Sequence, residues 1–429
     1  MNSVTAPAPV LLKQATCPHC WTGFRPEQSL FVAEHIELLG DSRLGPDAQT
    51  RFLPTRFNVQ GDAIDAKGFP CSQIACPQCH LPIPRACLEL PPAFLSVFGA
   101  PGSGKSYYLA AMTWQLRASL PDRFGVGFAD ADPTMNRALI EYEESLFVNP
   151  HAEELIPLGQ LIRKTETQGD LYNAVAFGGQ SVVYSRPFLF AIRPHDGHSA
   201  AKGPAGGSRL ICLYDNAGES FQPGADTAAA PVTRHLAHSR ALLFVFDPTQ
   251  DGRFRKAAGI RGSAAQLSRQ EPILQEAAAR VRRHAGLRQS EKHHRPLIVV
   301  LSKYDRWSGL LNEDTPQEPL RSITSSNLSG CALDVDQIER RSRIVREILK
   351  RLCPEIVHAA EGFCEHVVYV PTSAVGYKTE LDPETGQSAI RPADTEPHWV
   401  TVPFLYALAT TASGLIATAR RRSATRSRR

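Results

Sequence analysis

The residues best placed to do chemistry are Gly99 to Ser106, GAPGSGKS, which fit the pattern G-x-x-x-x-G-K-[ST]. Backbone that must approach an anion cannot carry Cβ atoms, so glycines let successive N–H groups turn inward, and a following helix adds a favourable dipole. The residues expected to hold a bound phosphate chain are Gly99, Gly102, Ser103, Gly104, Lys105, Ser106 and Tyr107. Lys105 is expected to reach the terminal phosphates, and the Ser106 hydroxyl to bind Mg²⁺.

Three further segments fit this reading. In LICLYDNAGES, Asp215 directly follows an apolar run, where a carboxylate can hold Mg²⁺ through water, and Gly218 lets its N–H approach a terminal phosphate. By itself such a D-x-x-G is also an ordinary strand-ending turn. In LIVVLSKYDRW, Asp305 could accept the paired N1–H and N2–H donors of guanine while the Lys303 stem covers the ring. Adenine presents an acceptor at N1 and would be repelled by that carboxylate. In VVYVPTSAVG, Ser373 and Ala374 follow a strand, and the Ala374 N–H could meet guanine O6.

The cysteines divide into two uses. CPHC (Cys17, Cys20) and CPQC (Cys76, Cys79) each put two thiolates on a tight turn, and together they complete an S₄ set that favours structural zinc. The pairs are 55 residues apart, and Cys71 and Cys87 remain as substitutes. His19 and His80 are expected beside the metal or at the surface, and Cys212, Cys331, Cys353 and Cys364 as small buried apolar groups.

These residues need strand ends and helix starts to hold them. Short apolar runs occur at Phe94 to Phe98, Phe188 to Ile192, Arg209 to Tyr214, Ala241 to Phe246, Pro296 to Leu301 and His366 to Val370. Helical patterns lie between several of them, as at Glu271 to His284 and Val335 to Leu352. The alternation predicts an α/β fold with a mostly parallel sheet and helices on both faces. Residues 1–90 are expected to form a small zinc-ribbon-like module, 91–420 a nucleotide-binding domain, and 421–429 a disordered basic tail. Stretches near 130–186 and 250–295 exceed the usual loop length and are read as insertions. A final helix is expected to bury Phe404, Leu405, Leu408, Ala412, Leu415 and Ile416.

Taken together and in this order, GAPGSGKS, DNAGE, SKYD and TSA resemble the Ras-like, translation-factor-related class of P-loop GTPases. The CPxC leader, CHLPIP, the DPT after Phe246 and VPFLYALA are similar to the bacterial double-GTPase family. The resemblance implies a P-loop GTPase fold, GTP/GDP and Mg²⁺ as ligands, and a regulatory switch acting with a second GTPase in conflict or defence gene clusters. It also implies a threonine that caps Mg²⁺ between the first helix and Asp215, for which Thr165 is chosen before Thr167, with Arg163 a candidate charge stabiliser. Two departures stand out. Ser302 replaces the usual asparagine and is expected to lose a tie to the phosphate loop. Glu219 stands where glutamine orients water, which predicts slow or partner-stimulated hydrolysis, with Lys105, Glu219 and Thr165 as the catalytic set.

Composition limits the alternatives. The chain has 429 residues, 42% hydrophobic and 21% charged, enough for a sizeable core. Its 47 cations and 43 anions are too evenly balanced to imply nucleic-acid or membrane binding by charge alone, although six arginines crowd the last ten residues. Ten cysteines are too few for a disulfide scaffold, and no signal peptide or spanning segment is read, so cytoplasm is expected. The partners expected are proteins. A zinc-ribbon or basic-tail contact with nucleic acid, around a nucleotide site that is only structural, is the second reading.

Overall fold

The structure is a computed structural model that describes residues 10–162, 172–202, 204–216, 218–221, 233–260, 268–311, 317–325, 328–412 and 414–420. Its centre is a seven-stranded sheet built from β1 (Pro92–Gly99), β2 (Val126–Asp130), β3 (Phe188–Pro194), β4 (Arg209–Asp215), β5 (Ala241–Phe246), β6 (Leu297–Leu301) and β7 (Val367–Pro371). The strand order is β2-β3-β4-β1-β5-β6-β7. From β4 to β7 all pairings are parallel, whereas β2 and β3 form an antiparallel edge. The sequence reading foresaw six of these strands and missed β2.

Period-two alternation divides each buried strand between two cores. Leu95 and Val97 of β1, Ile211 and Leu213 of β4, Leu243 and Val245 of β5 and Ile298 and Val300 of β6 share one cluster. That face is covered by α1 (Lys105–Phe124), which buries Leu109, Met112 and Leu116, and by part of α2 (Pro133–Phe147) through Leu139 and Leu146. The other face is itself divided. Phe244 and Phe246 of β5 and Leu297, Val299 and Leu301 of β6 pack with Leu274 and Val281 of α3 (Glu271–Ala285), Val345 and Leu349 of α4 (Val335–Leu352), and Ile356 and Val357 of α5 (Pro354–Phe363). Behind β3 and β4 the cover is only partly helical, Met135 of α2 and the short helix Ala86–Glu89 contributing to it. There Leu189, Ala191, Leu210, Cys212 and Tyr214 pack against Cys17, Trp21, Cys76, Leu81 and Leu88 of the cysteine-bearing segment. The sequence accounts for this: β3 and β4 are antiparallel neighbours joined without a crossover helix, so something from elsewhere must cover their apolar face.

α6 (Val402–Thr411) returns over the first face, and Phe404, Leu405 and Leu408 are buried in its core. It is shorter than the apolar pattern: Ala412, Leu415 and Ile416 are buried beyond its end, and the chain then adds a short strand, Thr418–Ala419, parallel to Leu328–Asp334. The stretch read as the first insertion begins with α2, whose Asp132 side chain caps it by accepting from the Thr134 and Met135 N–H groups. That stretch also contains a hairpin, Tyr172–Phe177 with Gln180–Ser185.

Candidate nucleotide and metal sites

The phosphate-binding candidates lie at the carboxyl end of the parallel strands, the side on which open α/β sheets bind ligands. β1 ends at Gly99, where a Cβ would come within 2.2 Å of the Val245 carbonyl oxygen on the neighbouring strand, so only glycine fits. The loop then rises into α1 through Gly104, whose φ of +88° is left-handed backbone. The Lys105 ammonium donates to the carbonyls of Gly99 (3.0 Å) and Ala100 (3.1 Å), which sets it against the loop rather than in solvent. Lys105, Ser106 and Tyr107 form the first turn of α1, whose N–H groups a helix leaves over for an anion. Tyr107 can contribute only that backbone group, because its ring packs against the core and its hydroxyl donates to the Leu158 carbonyl. Ser103 is fully buried, and among the described residues its hydroxyl has no hydrogen-bond partner. An orphaned buried hydroxyl inside a loop of this shape fits a bound oxyanion.

Asp215 ends β4, in register beside Val97 of β1, and is 2% exposed. Gly218 presses on the loop from the same side: a Cβ there would lie 2.5 Å from Pro101 Cδ and 2.7 Å from Pro101 N. Glu219 follows in a short 3₁₀ turn, Gly218–Phe221. The side chain of Glu219, together with Thr165, Thr167 and Arg163, lies outside the described residues.

The guanine candidates meet the same loop. Ser302 Oγ donates to the Ser103 carbonyl at 2.7 Å. The expectation that serine forfeits the tie to the phosphate loop is therefore wrong. The end of β6 runs close enough to the loop that a short hydroxyl spans the gap. Lys303, held in left-handed backbone at φ +54°, extends its ammonium to the Gly102 carbonyl at 3.2 Å and to Asp247 at 2.6 Å. Asp305 accepts from Ser373 Oγ at 2.5 Å, and that same hydroxyl accepts from the Gly376 N–H at 2.9 Å, so one side chain joins the two base-reading segments. Burial pushes the Asp305 carboxyl above its ordinary value, against the opposing pull of the Ser373 hydrogen bond. Donors arriving from a base would favour its ionised form. Ala374 is half-buried beside the core, after Ser373, which is bridged to His398 by backbone bonds of 3.0 and 2.7 Å.

Several participants were not foreseen. Gln250 donates to the Pro101 carbonyl at 3.2 Å. Arg280 of α3 is fully buried, donates to the Ser220 carbonyl at 2.5 Å and to Thr233 Oγ1 at 3.2 Å, and lies 5.5 Å from the Phe221 ring centroid. Tyr214, directly before Asp215, donates its hydroxyl to the Pro18 carbonyl at 2.5 Å and accepts from Trp21 Nε1 at 3.0 Å. His235 stacks on Tyr214 at 4.3 Å and joins Asn216 Oδ1 (3.1 Å) to Ser96 Oγ of β1 (2.5 Å). An arginine or histidine met singly in a sequence carries no such signal. Trp21 and Tyr214 are likewise uninformative singly, until the fold brings them together.

The two CPxC turns fold as near copies. In each, the N–H of the residue after the second cysteine bonds back to the first cysteine carbonyl at 3.0 Å, and that residue has positive φ, +59° at Trp21 and +62° at His80. A backbone N–H also points at the first sulfur of each turn, from His19 to Cys17 Sγ and from Gln78 to Cys76 Sγ, both at 3.4 Å. Cys17 and Cys79 sulfurs are 3.7 Å apart, as are those of Cys20 and Cys76, and all four lie within 4.8 Å of one another. Tetrahedral coordination with metal–sulfur bonds of about 2.3 Å requires sulfurs about 3.8 Å apart, a spacing that two of the pairs already have, so this set could hold a metal ion. Cys71 and Cys87 are buried elsewhere, Cys71 beside Asp65. His19 is buried and bonds the Pro82 carbonyl, whereas His80 pairs with Asp41 at 2.8 Å. Among the described residues, no helix is long and apolar enough to cross a membrane.

No family model matches the chain. Among curated proteins, it is 28% identical over 251 residues, 54% of its own length, to the putative ESX-1 scaffolding and assembly protein SaeC of Mycolicibacterium smegmatis. That alignment spans 57% of the relative, little more than half of it. Among solved structures, sup35 complexed with GDP aligns with a TM-score of 0.23 and 12% identity over 67% of this chain and 38% of that one. The signal recognition particle receptor SRb-GTP/SRX complex from Chaetomium thermophilum aligns with a TM-score of 0.22 and 12% identity over 66% of this chain and 94% of that one.

Proposed function

We propose that this protein is a guanine-nucleotide-binding switch with a P-loop GTPase fold, a Mg²⁺-dependent and slow or partner-stimulated GTPase activity, and a structural zinc ion in its N-terminal module. The observation that carries the proposal is the direct bonding of the base-reading segment to the phosphate loop, Ser302 Oγ to Ser103 and Lys303 Nζ to Gly102. A lone glycine-rich loop would bind any phosphate. One physically tied to a lysine and a half-buried carboxylate also selects the base attached to it. In this reading Lys105 and the first turn of α1 hold the phosphates, Ser106 and Asp215 hold Mg²⁺, and Gly218 senses the terminal phosphate. Asp305, Lys303 and Ala374 read guanine. Cys17, Cys20, Cys76 and Cys79 hold zinc, whose four positions they fill, leaving none for water. Thr165 and Glu219 complete the proposed catalytic set with Lys105.

A switch needs something to act on. The curated relative is described as a scaffolding and assembly protein, which supports a role in a protein assembly and gives no support to a conflict or defence setting; the compartment proposed is the cytoplasm. The partner proposed is a protein. A second GTPase is the form that the family resemblance suggests. The test is displacement of fluorescent GDP from the full-length protein by GTP and by ATP, with and without Mg²⁺. GTP should compete and ATP should not; equal competition by ATP removes the base assignment, and no binding removes the switch.

A further inference from the structure

Asp247 follows β5 and is completely buried. A buried carboxylate is costly unless its charge is met. One oxygen, Oδ1, accepts from the Thr249 N–H (2.9 Å) and hydroxyl (2.7 Å) and so caps the short turn Pro248–Gln250. The other, Oδ2, lies 2.6 Å from Lys303 Nζ. The Asp247 backbone is fixed on both sides by one side chain: Gln270 Oε1 accepts from its N–H at 3.1 Å and Gln270 Nε2 donates to its carbonyl at 2.7 Å. Three residues on, Gln250 ties the same turn to Pro101 of the phosphate loop. The lysine that meets this carboxylate is itself 41% exposed along its side chain and starts from left-handed backbone, which fixes the direction in which its stem leaves the strand end.

We infer that Asp247 is the positioning residue for base recognition: together with the Gly102 carbonyl it clamps the Lys303 ammonium, so that the lysine stem lies as a fixed apolar wall for the guanine ring. The inference rests on the guanine reading above and deepens it. The two roles of Asp247 separate by atom. Asparagine in its place keeps an oxygen for the Thr249 donors and removes the charge from the atom that faces Lys303, so D247N tests the clamp and spares the turn.

The experiment measures GDP affinity of the full-length protein with Mg²⁺ for the unaltered chain, D247N, K303M and the double variant, alongside competition by inorganic tripolyphosphate. D247N should weaken GDP roughly tenfold, mainly through faster release, and leave tripolyphosphate within about twofold, because the partners of Asp247, namely Thr249, Gln270 and Lys303, lie outside the phosphate loop. In the K303M background D247N should add less than about twofold, the non-additivity expected of two residues acting as one unit. The double variant leaves no buried charge unpaired and so preserves a folded comparison if either single variant is unstable; it should weaken GDP with tripolyphosphate unchanged. Unchanged GDP affinity in D247N, strictly multiplicative effects, or equal loss of tripolyphosphate would each overturn the positioning role alone. Failure of the unaltered protein to bind GDP would overturn the guanine reading and this inference with it.

Discussion

Replacing Tyr214 by phenylalanine tests whether the cysteine module is anchored where the structure puts it. The hydroxyl makes two hydrogen bonds in a fully buried setting, accepting from Trp21 Nε1 and donating to Pro18 O. Its removal leaves the aromatic packing but orphans one donor and one acceptor, each costing about 1–3 kcal/mol. Because both groups are neutral and share one site, the expected loss is about 2–4 kcal/mol rather than the full sum. If metal release requires the Cys17–Cys20 turn to lift from the sheet, that loss makes withdrawal of zinc by a strong chelator ~30- to ~1000-fold faster. A colorimetric chelator assay on the zinc-loaded protein reads this rate, and tryptophan fluorescence in urea reads the midpoint. A change below about threefold in the chelator rate, with an unshifted urea midpoint, would refute the reasoning, because it would mean that water already reaches these groups.

Three other outcomes are expected. Gly218→Ala places a methyl group 2.5 Å from Pro101 Cδ, so the segment must retreat from the phosphate loop; the preference for GTP over GDP should fall by roughly tenfold or more while GDP binding is largely kept, as titration of both nucleotides would show. Cys76→Ser should abolish the proposed stoichiometric zinc, measured by atomic emission, and expose apolar surface that binds a hydrophobic dye, since the cysteine turns cover β3 and β4. Burial, reinforced by the Arg295 cation, pushes His293 down to about 4, below its ordinary value of 6.5. The folded state therefore favours the neutral ring. Its stabilising contribution is complete above pH 6.5 and is lost progressively as the pH falls through 4, so melting temperatures of the unaltered protein and His293→Gln should converge between those values.

Much of this arrangement could be read from the chain. Apolar runs of five or six residues marked the central strands because parallel strands are buried on both faces, and the Gly99 to Ser106 pattern announced the helix that follows the loop. β2 escaped because it is an edge strand whose Gly127 and Ala129 break the apolar run. The tie through Ser302 escaped because side-chain length was judged without the distance to be spanned, which only the approach of β6 to Ser103 supplies. Asp247 stood in plain view in the DPT segment, but its partner Lys303 is 56 residues away and no local pattern joins them. Arg280, a residue type expected at the surface, has one partner in sequence reach, Glu276 one helical turn earlier at 2.7 Å, but Ser220 and Thr233 are 60 and 47 residues away.

The packing of the cysteine turns on the back of β4 also sets an order of events during synthesis. Trp21 and Tyr214 are 193 residues apart in the chain. All four cysteines are available once Cys79 has left the ribosome, long before their docking surface exists. The cysteine turns are thus seated only after β4, near the middle of the chain, has followed them. Until they are seated, the apolar side chains of Leu189, Leu210 and Cys212 have no cover from that segment, and the nascent chain carries an interval of exposure whose length depends on how quickly the cysteine turns find the strand.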